Sequence, residues 1–399
     1  MRVRKAGWLG AISIVLSTGL AGTCAAGSAS AAVRTVRASD TGNRSSPSGL
    51  AVMDRLARLA AAGKGKIAVI LPDTVSSTRY VASDQPDFTS ALTATGLSPT
   101  KFVVQNALGR DATALTDAEA DIANGATVLV VDPPDSSVGL QIEHYAKSRG
   151  VKVIDYDHLT LGGSRAYYVG FDSARAGRLM GQGLVQCVAA WHVAKPHVVV
   201  VPGAANDATT AALSSGYGPV LTPLFKSGRW VQAARTTGTW DPAAAEAEFE
   251  AAALAHHGVN AALVPSDEIG ASLISYLEVV RIKPKTFPIT GLGTTPIGLD
   301  DVLTGYQCGT AFEPVDREAQ AAVSLALYLR AGRTPPASLV NGRTQDTTAR
   351  VSVPSVLVAP EWVTAQNLES AVIASGSMSA SQVCAGKFAA ACKAAGITP

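Results

Sequence analysis

Short apolar runs alternate with stretches of helical spacing along most of this chain. Lys66-Ile-Ala-Val-Ile-Leu-Pro72, Lys101-Phe-Val-Val-Gln105, Ala126-Thr-Val-Leu-Val-Val-Asp-Pro-Pro134, Val151–Tyr156 and Tyr167–Phe171 are β-branched or aromatic runs and predict five strands. Between them, Pro86–Thr95, Leu115–Asn124 and Val138–Ser148 repeat apolar residues at helical spacing, the last two closed by Gly125 and Gly150. The pattern then restarts. Helices are predicted over Ala174–Val188, Ala208–Leu224 (with a break near Gly216), Pro242–His256, Ile269–Val280 and Ala319–Arg330. Strands are predicted over His197–Pro202, Trp230–Thr236, Ala261–Pro265, Phe287–Gly291, the strand-like run Val302–Phe312, and Val353–Val358. Strands alternating with helices of this length mean βαβ units and parallel sheets. Two doubly wound sheets in succession are the expected α/β architecture, as suits a chain of 399 residues.

Before the alternation starts the chain has a different character. Arg2, Arg4 and Lys5 precede an apolar stretch from Gly7 to Leu20, and Ala29-Ser30-Ala31 is a small-x-small site, together an export signal. The apolar stretch is too short for a spanning helix. Leu20-Ala21-Gly22-Thr23-Cys24 resembles a lipobox, which makes Cys24 a lipidation candidate beside simple secretion. Val33–Gly49 has no apolar periodicity and reads as a tether, and Leu50, Met53, Leu56 and Leu59 predict a short helix after it. The formal charge is +2, and removal of the three basic leader residues takes it to −1, which gives no basis for nucleic-acid binding, since that needs a clustered basic face. In an exported chain the four remaining cysteines suggest two disulfides, Cys384–Cys392 and Cys187–Cys308, with four buried free thiols as the alternative. Eight residues of continuous helix would separate Cys384 and Cys392 by about 12 Å of rise, so their bridge requires a turn at Ala385-Gly386-Lys387.

Polar residues gather just past the strands, where open α/β sheets meet their ligands. They are Asp73, Ser76, Ser77 and Arg79; Asp132 and Asp135; Asp157 and His158; Asp172 and Ser173; Asn206 and Asp207; Trp240 and Asp241; and Ser266, Asp267 and Glu268. Such a set suits a neutral polyhydroxy ligand: carboxylates accept from hydroxyls, Arg79 donates in a fork, and Trp240 or Phe171 covers an apolar C–H face. Enzyme chemistry is not supported. There is no phosphate loop and no nucleophile elbow, Gly291-Leu-Gly293 lacks the third glycine of a dinucleotide fingerprint, and His256-His257 has no partner at zinc spacing. No metal or cofactor is expected.

Ser77-Thr-Arg79-Tyr80, Val131-Asp-Pro, Tyr156-Asp-His-Leu, Tyr168-Val-Gly-Phe-Asp-Ser, Pro265-Ser-Asp267 and Ala311-Phe-Glu-Pro314 resemble the periplasmic sugar-binding proteins of ABC transporters, of the ribose-binding type and nearest the xylose-binding branch. The resemblance runs from Lys66 to about Leu368. It implies two lobes joined by a three-strand hinge, with ligand held between them by closure. Arg79, Tyr80, Asp207, Trp240 and Asp267 match that family's ligand positions. His158 stands where it has Arg, Ser173 where it has Asn, Ser266 where it has Asn, Leu292-Gly293 where it has Gln-Asp, and Glu313 where it has Lys. Glu313 therefore points to a ligand with positive charge or extra donors.

The resemblance and the residues together give residues 1–31 as leader, 32–64 as tether and short helix, 65–173 plus 312–340 as one lobe, 174–311 plus 341–375 as the other, and 376–399 as a disulfide-bearing tail. The expected ligand residues are Arg79, Tyr80, Asp132, Asp157, His158, Phe171, Asp172, Ser173, Asp207, Trp240, Ser266, Asp267 and Glu313. The expected role is an exported monomeric receptor, secreted or lipid-anchored, that delivers a xylose-like or modified sugar to an ABC permease. The alternatives are a receptor feeding a signalling system and a binder of a non-sugar polar or cationic solute.

Overall fold

The computed structural model describes residues 52–293 and 295–398. The leader, Cys24 and most of the tether lie outside them. A short helix, α1 (Ala57–Ala62), precedes the first sheet. Then follow β1 (Lys66–Leu71), α2 (Gln85–Ala94), β2 (Phe102–Asn106), α3 (Asp111–Ala123), β3 (Ala126–Val131), α4 (Ser136–Ser148), β4 (Lys152–Tyr156) and β5 (Tyr167–Phe171). The second lobe runs through α5 (Ser173–Ala190), β6 (His197–Val200), α6 (Ala208–Lys226), β7 (Val231–Arg235), α7 (Pro242–Ala255), β8 (Ala261–Leu263), α8 (Asp267–Val279), β9 (Thr290–Gly293), α9 (Pro296–Thr304) and β10 (Gly309–Phe312). The chain returns through α10 (Val315–Arg330), β11 (Gly342–Asp346) and β12 (Val351–Val358), crosses again to β13 (Glu361–Val363), and ends in α11 (Ala380–Val383) and α12 (Ala389–Ala394).

The first sheet has the order β2-β1-β3-β4-β5-β12-β11, parallel except for the hairpin strand β11. In the second, β7-β6-β8 and β9-β10-β13 are joined by a parallel bridge from Ala262 to Ile289. Alternation along the strands divides each core into two faces. Ile67, Val69 and Leu71 pack with Phe88, Leu92 and the α10 residues Ala319, Ala322 and Val323, whereas Ala68 and Ile70 pack with Ala114, Val138 and Ile142. In the second lobe Val198 and Val200 face Met180, Leu184 and Leu213, and Val199 and Val201 face Phe249, Leu273 and Leu277. Three segments cross between the lobes: Asp172 between β5 and α5, residues 313–314 between β10 and α10, and residues 359–360 between β12 and β13.

The structure departs from the sequence expectation in three places. Residues 341–375 do not form one piece of the second lobe, because β12 pairs with β5, burying Val353 and Val356, and carries β11 with it. Only from β13 onward does the chain rejoin the second lobe, through Val363 and Leu368 packed with Leu299 and Phe312. The run 302–312 is not one strand. Thr295 Oγ1 accepts the Gly298 N–H, Pro296 occupies the first turn, and Gly305 at φ +82° ends a helix before β10 begins. Helix α6 does not break at Gly216. A Cβ there would lie 2.0 Å from the Ala174 carbonyl, and one on Gly177 would lie 2.1 Å from the Leu213 carbonyl, so both glycines let α5 and α6 touch backbone to backbone. Both disulfides are present, Cys187–Cys308 and Cys384–Cys392, with Cα separations of 6.1 and 5.7 Å. The chain reverses at Gly386 (φ +58°) to allow the second.

Asp267 is part of this framework rather than of any surface. It is fully buried at the start of α8, where Oδ1 accepts from Gln307 Nε2 at 3.0 Å and Thr310 Oγ1 at 2.8 Å, and Thr295 Oγ1 lies 3.4 Å from Oδ2. Burial raises its pKa to about 6 against these hydrogen bonds. The folded chain therefore binds the proton more tightly than the unfolded one, so stability from this group is complete below about pH 4 and is lost as pH rises through about 6. Asp267→Asn keeps the shape and removes the charge. Its melting temperature should exceed the wild type's at pH 7.5, with the advantage vanishing by pH 4; a variant no more stable at pH 7.5 would refute the assignment.

Candidate functional site

The carboxyl ends of the two sheets enclose a cleft of about 910 Å³. Its innermost feature is Arg79, held in the loop that follows β1. The next five residues, Tyr80–Asp84, form a wide helical turn closed by the Gln85 N–H on the Tyr80 carbonyl. That turn brings Asp84 back under Arg79. Arg79 Nε lies 2.9 Å from Asp84 Oδ2, and Nη2 lies 3.0 Å from Asp84 Oδ1 and 2.6 Å from Glu318 Oε2 on the first turn of α10. Tyr156 Oη donates to Asp84 Oδ1 at 2.5 Å. Only Nη1 is turned elsewhere, 3.4 Å from Asp157 Oδ1 and 3.9 Å from Glu313 Oε2. The guanidinium also lies over the rings of Tyr80 and Phe171, at 5.4 and 5.5 Å. Burial opposes its charge, but Asp157, Asp84 and Glu318 outweigh it and hold its pKa above the ordinary arginine value.

Asp157 sits just past β4 with φ +58°, a left-handed conformation that an aspartate adopts at some strain. Tyr80 Oη donates to Asp157 Oδ2 at 2.7 Å, and Tyr168 Oη to the Asp157 carbonyl at the same distance. Burial would raise its pKa, yet Arg79 and His158 reverse the direction and keep it ionised. His158 Nδ1 lies 3.2 Å from Asp132 Oδ1 and 3.5 Å from Asp157 Oδ2, and these carboxylates outweigh burial to hold the imidazole pKa well above its usual value. Asp132, Asp157 and His158 also bring three ligand atoms within 4.8 Å of one another, the one such set among the described residues with the donors for a divalent ion. With its pKa raised by these carboxylates, a protonated His158 offsets one of their two charges. Glu313, on the second crossing segment, is 5% exposed, and burial raises its pKa to about 8 with Arg79 offsetting only part of the effect.

From the second lobe, Trp240 faces His158 across the gap, ring centroids 6.1 Å apart and nearly perpendicular. Its indole packs over Gly203, where a Cβ would lie 2.3 Å away. Glu268, in the first turn of α8, accepts from Ser77 Oγ at 2.7 Å and the Thr78 N–H at 2.9 Å, tying the β1 loop of one lobe to a helix of the other.

Ten of the thirteen residues expected at the ligand line this cleft: Arg79, Tyr80, Asp157, His158, Phe171, Ser173, Asp207, Trp240, Ser266 and Glu313. Three do not. Asp132 is fully buried behind His158, Asp267 lies in the second-lobe interior, and Asp172 accepts the Arg175 N–H as the cap of α5. Two of the ten have a second role in the fold: Asp207 caps α6 through the N–H groups of Thr209 and Thr210, and Ser266 caps α8 through Ile269. Asp84 and Glu318 were missed as site residues, and Glu268 was placed among the strand-end polar residues but not among the expected ligand residues. For Asp84 the signal was its place five residues past Arg79, within reach only if the intervening turn is wide. For Glu318 and Glu268 it was an acid in the first turn of a helix, a position that more often serves the helix dipole. The wall hydroxyls that meet a carboxylate, Ser76 on Asp73 and Ser77 on Glu268, tie the β1 loop to itself and to α8. What it can do is accept, donate and stack.

Comparison with known proteins agrees with that inventory. A family model described as "Periplasmic binding protein domain" matches residues 67–334. The chain is 27% identical over 285 residues to the D-xylose-binding periplasmic protein of Escherichia coli (strain K12), covering 69% of this chain and 81% of that one. It is 27% identical over 338 residues to the multiple sugar-binding periplasmic receptor ChvE of Rhizobium radiobacter, covering 81% and 93%. Among solved structures, the fold resembles a carbohydrate transporter solute binding protein from Chloroflexus aurantiacus in complex with D-glucose, with a TM-score of 0.69 at 24% identity over 79% of this chain and 97% of that one. A myo-inositol binding protein from Caulobacter matches at a TM-score of 0.61, with 17% identity over 78% and 97%. The family match spans more than half of the sequence and every element that builds the cleft up to α10, so the chain belongs to the periplasmic binding protein domain family.

Proposed function

We propose that this protein is the extracytoplasmic solute-binding component of an ABC importer, taking a monosaccharide-sized polar ligand into the cleft and passing the closed, loaded form to a membrane permease. The single observation that carries the reading is one polar cleft walled by strand ends of both lobes, with Arg79 Nη1, Asp157, Asp207 and Glu313 for hydroxyl groups and the Trp240 and Phe171 rings for a C–H face. Its volume falls within the range of roughly 300–1,000 Å³ usual for small-molecule sites. The sugars named for its relatives support the same class of ligand. The crossing segments are few and short, so the lobes can swing about them while each core stays intact. Nothing in the mechanism makes or breaks a bond. The protein acts as an exported monomer, at the cell surface or in the surrounding medium.

Titration calorimetry of the purified protein against xylose, glucose, galactose, arabinose and myo-inositol should find at least one ligand. Trp240→Ala should weaken that ligand by about threefold to tenfold, the worth of an aromatic face at about 0.5–1.5 kcal/mol. A silent panel, with no shift in melting temperature, would sink the proposal.

The clasp from Glu268 to Ser77 and Thr78 favours the closed form without needing to touch the ligand. Glu268→Ala should weaken binding by about tenfold, as expected for a charge-assisted hydrogen bond of about 1.5–3 kcal/mol discounted for partial exposure. Stopped-flow traces should place the loss in faster release rather than slower capture. Unchanged release would show that the clasp has no part in closure.

A further inference from the structure

We infer that the first lobe carries a second binding site, away from the cleft, for a phosphate group in its dianionic form, held by Arg330, Lys64 and Lys101. The inference stands apart from the solute reading, because none of these three residues lines the cleft.

The site is a hollow of about 530 Å³ at the amino ends of β1 and β2, where α2 and α10 finish. α1 contributes Ala57, Ala60 and Ala61 to its wall, and the turn after α2 contributes residues 95–98. The charged side chains on the wall are Lys64, Lys101 and Arg330, and no carboxylate lines it among the described residues. Lys64 and Lys101 are exposed, and among the described residues each hydrogen-bonds through its backbone alone.

Arg330 is the informative member. The buried arginines among the described residues are Arg79, Arg165 and Arg330. Arg79 is met by Asp84, Asp157 and Glu318, and Arg165 lies 2.8 Å from Asp346, 3.4 Å from Asp155 and 3.5 Å from Glu143. Arg330, 8% exposed, has no acid beside it. Its Nε donates to the Gly65 carbonyl at 3.0 Å and its Nη1 to the Ala60 carbonyl at 2.7 Å, while Nη2 donates to nothing among the described residues. Gly63 makes room for this arrangement, since a Cβ there would lie 2.8 Å from Nη1. Two carbonyls satisfy two donors and leave the charge unanswered, and a buried charge is costly without a counter-charge. Burial lowers the Arg330 pKa with no carboxylate opposing it.

A cation at a helix C-terminus also serves the helix dipole, and both α2 and α10 end at this hollow. The magnitudes limit that role. Each helix end is equivalent to about half a negative charge, so two ends offset about one of the three positive charges. About two remain, in a recess that holds no acid. Inorganic phosphate or a phosphate monoester carries about −1.5 to −2 near pH 7 and matches that remainder. A carboxylate or a phosphate diester, each with a single charge, would leave half of it. Phosphate oxygens also suit the donors on offer, the uncommitted Nη2 of Arg330 and two ammonium groups.

Calorimetry and melting curves at pH 7.5 test this with inorganic phosphate and glycerol 3-phosphate, against sodium chloride at matched ionic strength. At least one of the two phosphates should bind saturably and raise the melting temperature where chloride does not. The double variant Lys64→Gln, Lys101→Gln changes exposed side chains only, so its melting curve in phosphate-free buffer should match the wild type's. Its phosphate affinity should fall by about tenfold or more, as expected when charge-assisted contacts are lost, while binding of any cleft solute stays the same. Tighter binding of the inorganic ion would mark free phosphate as the occupant, and tighter binding of the ester a phosphorylated partner. Absence of saturable binding by either phosphate, or binding that the double variant keeps in full, would overturn the inference and leave Arg330 as a helix cap.

Discussion

A single buried guanidinium sets the terms for this molecule. Arg79 is 4% exposed and is met by carboxylates from four separate segments: the turn after it (Asp84), the loop past β4 (Asp157), the second crossing (Glu313) and the first turn of α10 (Glu318). Losing the cation from such a cluster exposes several acids to each other in a dry environment, an imbalance on the order of 3–5 kcal/mol. The arrangement fixes more than stability. It sets where the strained Asp157 turn can sit, where α10 begins after the chain returns from the second lobe, and which guanidinium nitrogen is left facing the cleft. A residue that the sequence presents as a ligand donor is thus mainly an organiser, with one nitrogen, Nη1, turned towards the cleft beside Asp157.

The acids around it illustrate an economy of the doubly wound fold. Helices follow strands after a few residues, so the carboxyl end of a strand and the amino end of a helix are nearly the same place. Asp135, Asp172, Asp207, Asp241 and Ser266 all cap helices. Asp135, Asp207, Asp241 and Ser266 also line the cleft, while Asp172 does not. A short polar residue at such a position reads the same whichever role it has. This is why the cleft was legible in outline while Asp172 and Asp267 were assigned to it and are not on its wall. Asp267 is distinguished only by what lies far away in sequence: Gln307 and Thr310 supply its donors, and a Cβ on Gly298 would lie 2.1 Å from its carboxyl carbon.

The strands were legible for a simpler reason. Strands covered on both faces must be apolar throughout, and runs such as Ile67–Leu71 and Val128–Val131 admit few other readings. The errors fall where local pattern and long-range pairing part company. Residues 342–346 are polar and β12 is ordinary, yet the open edge of β5 recruits both into the first sheet. Gly216 looked like a helix breaker, and its missing side chain instead makes room for a neighbouring helix. The wide turn at Tyr80–Asp84 has no sequence signature, although the position of Asp84 depends on it.

The Cys187–Cys308 bridge has a topological effect as well. Most of the second lobe is one excursion of the chain that leaves at α5 and comes back at β10, and the bridge joins the outbound and homebound limbs across 121 residues. That excursion is thereby a covalent ring, hung from the first lobe by two of the three crossing segments. A peptidase nick anywhere in the surface loops of that ring would yield no loose fragment, and the halves would stay registered on the core they share. Backbone damage there becomes a local defect rather than the loss of the lobe.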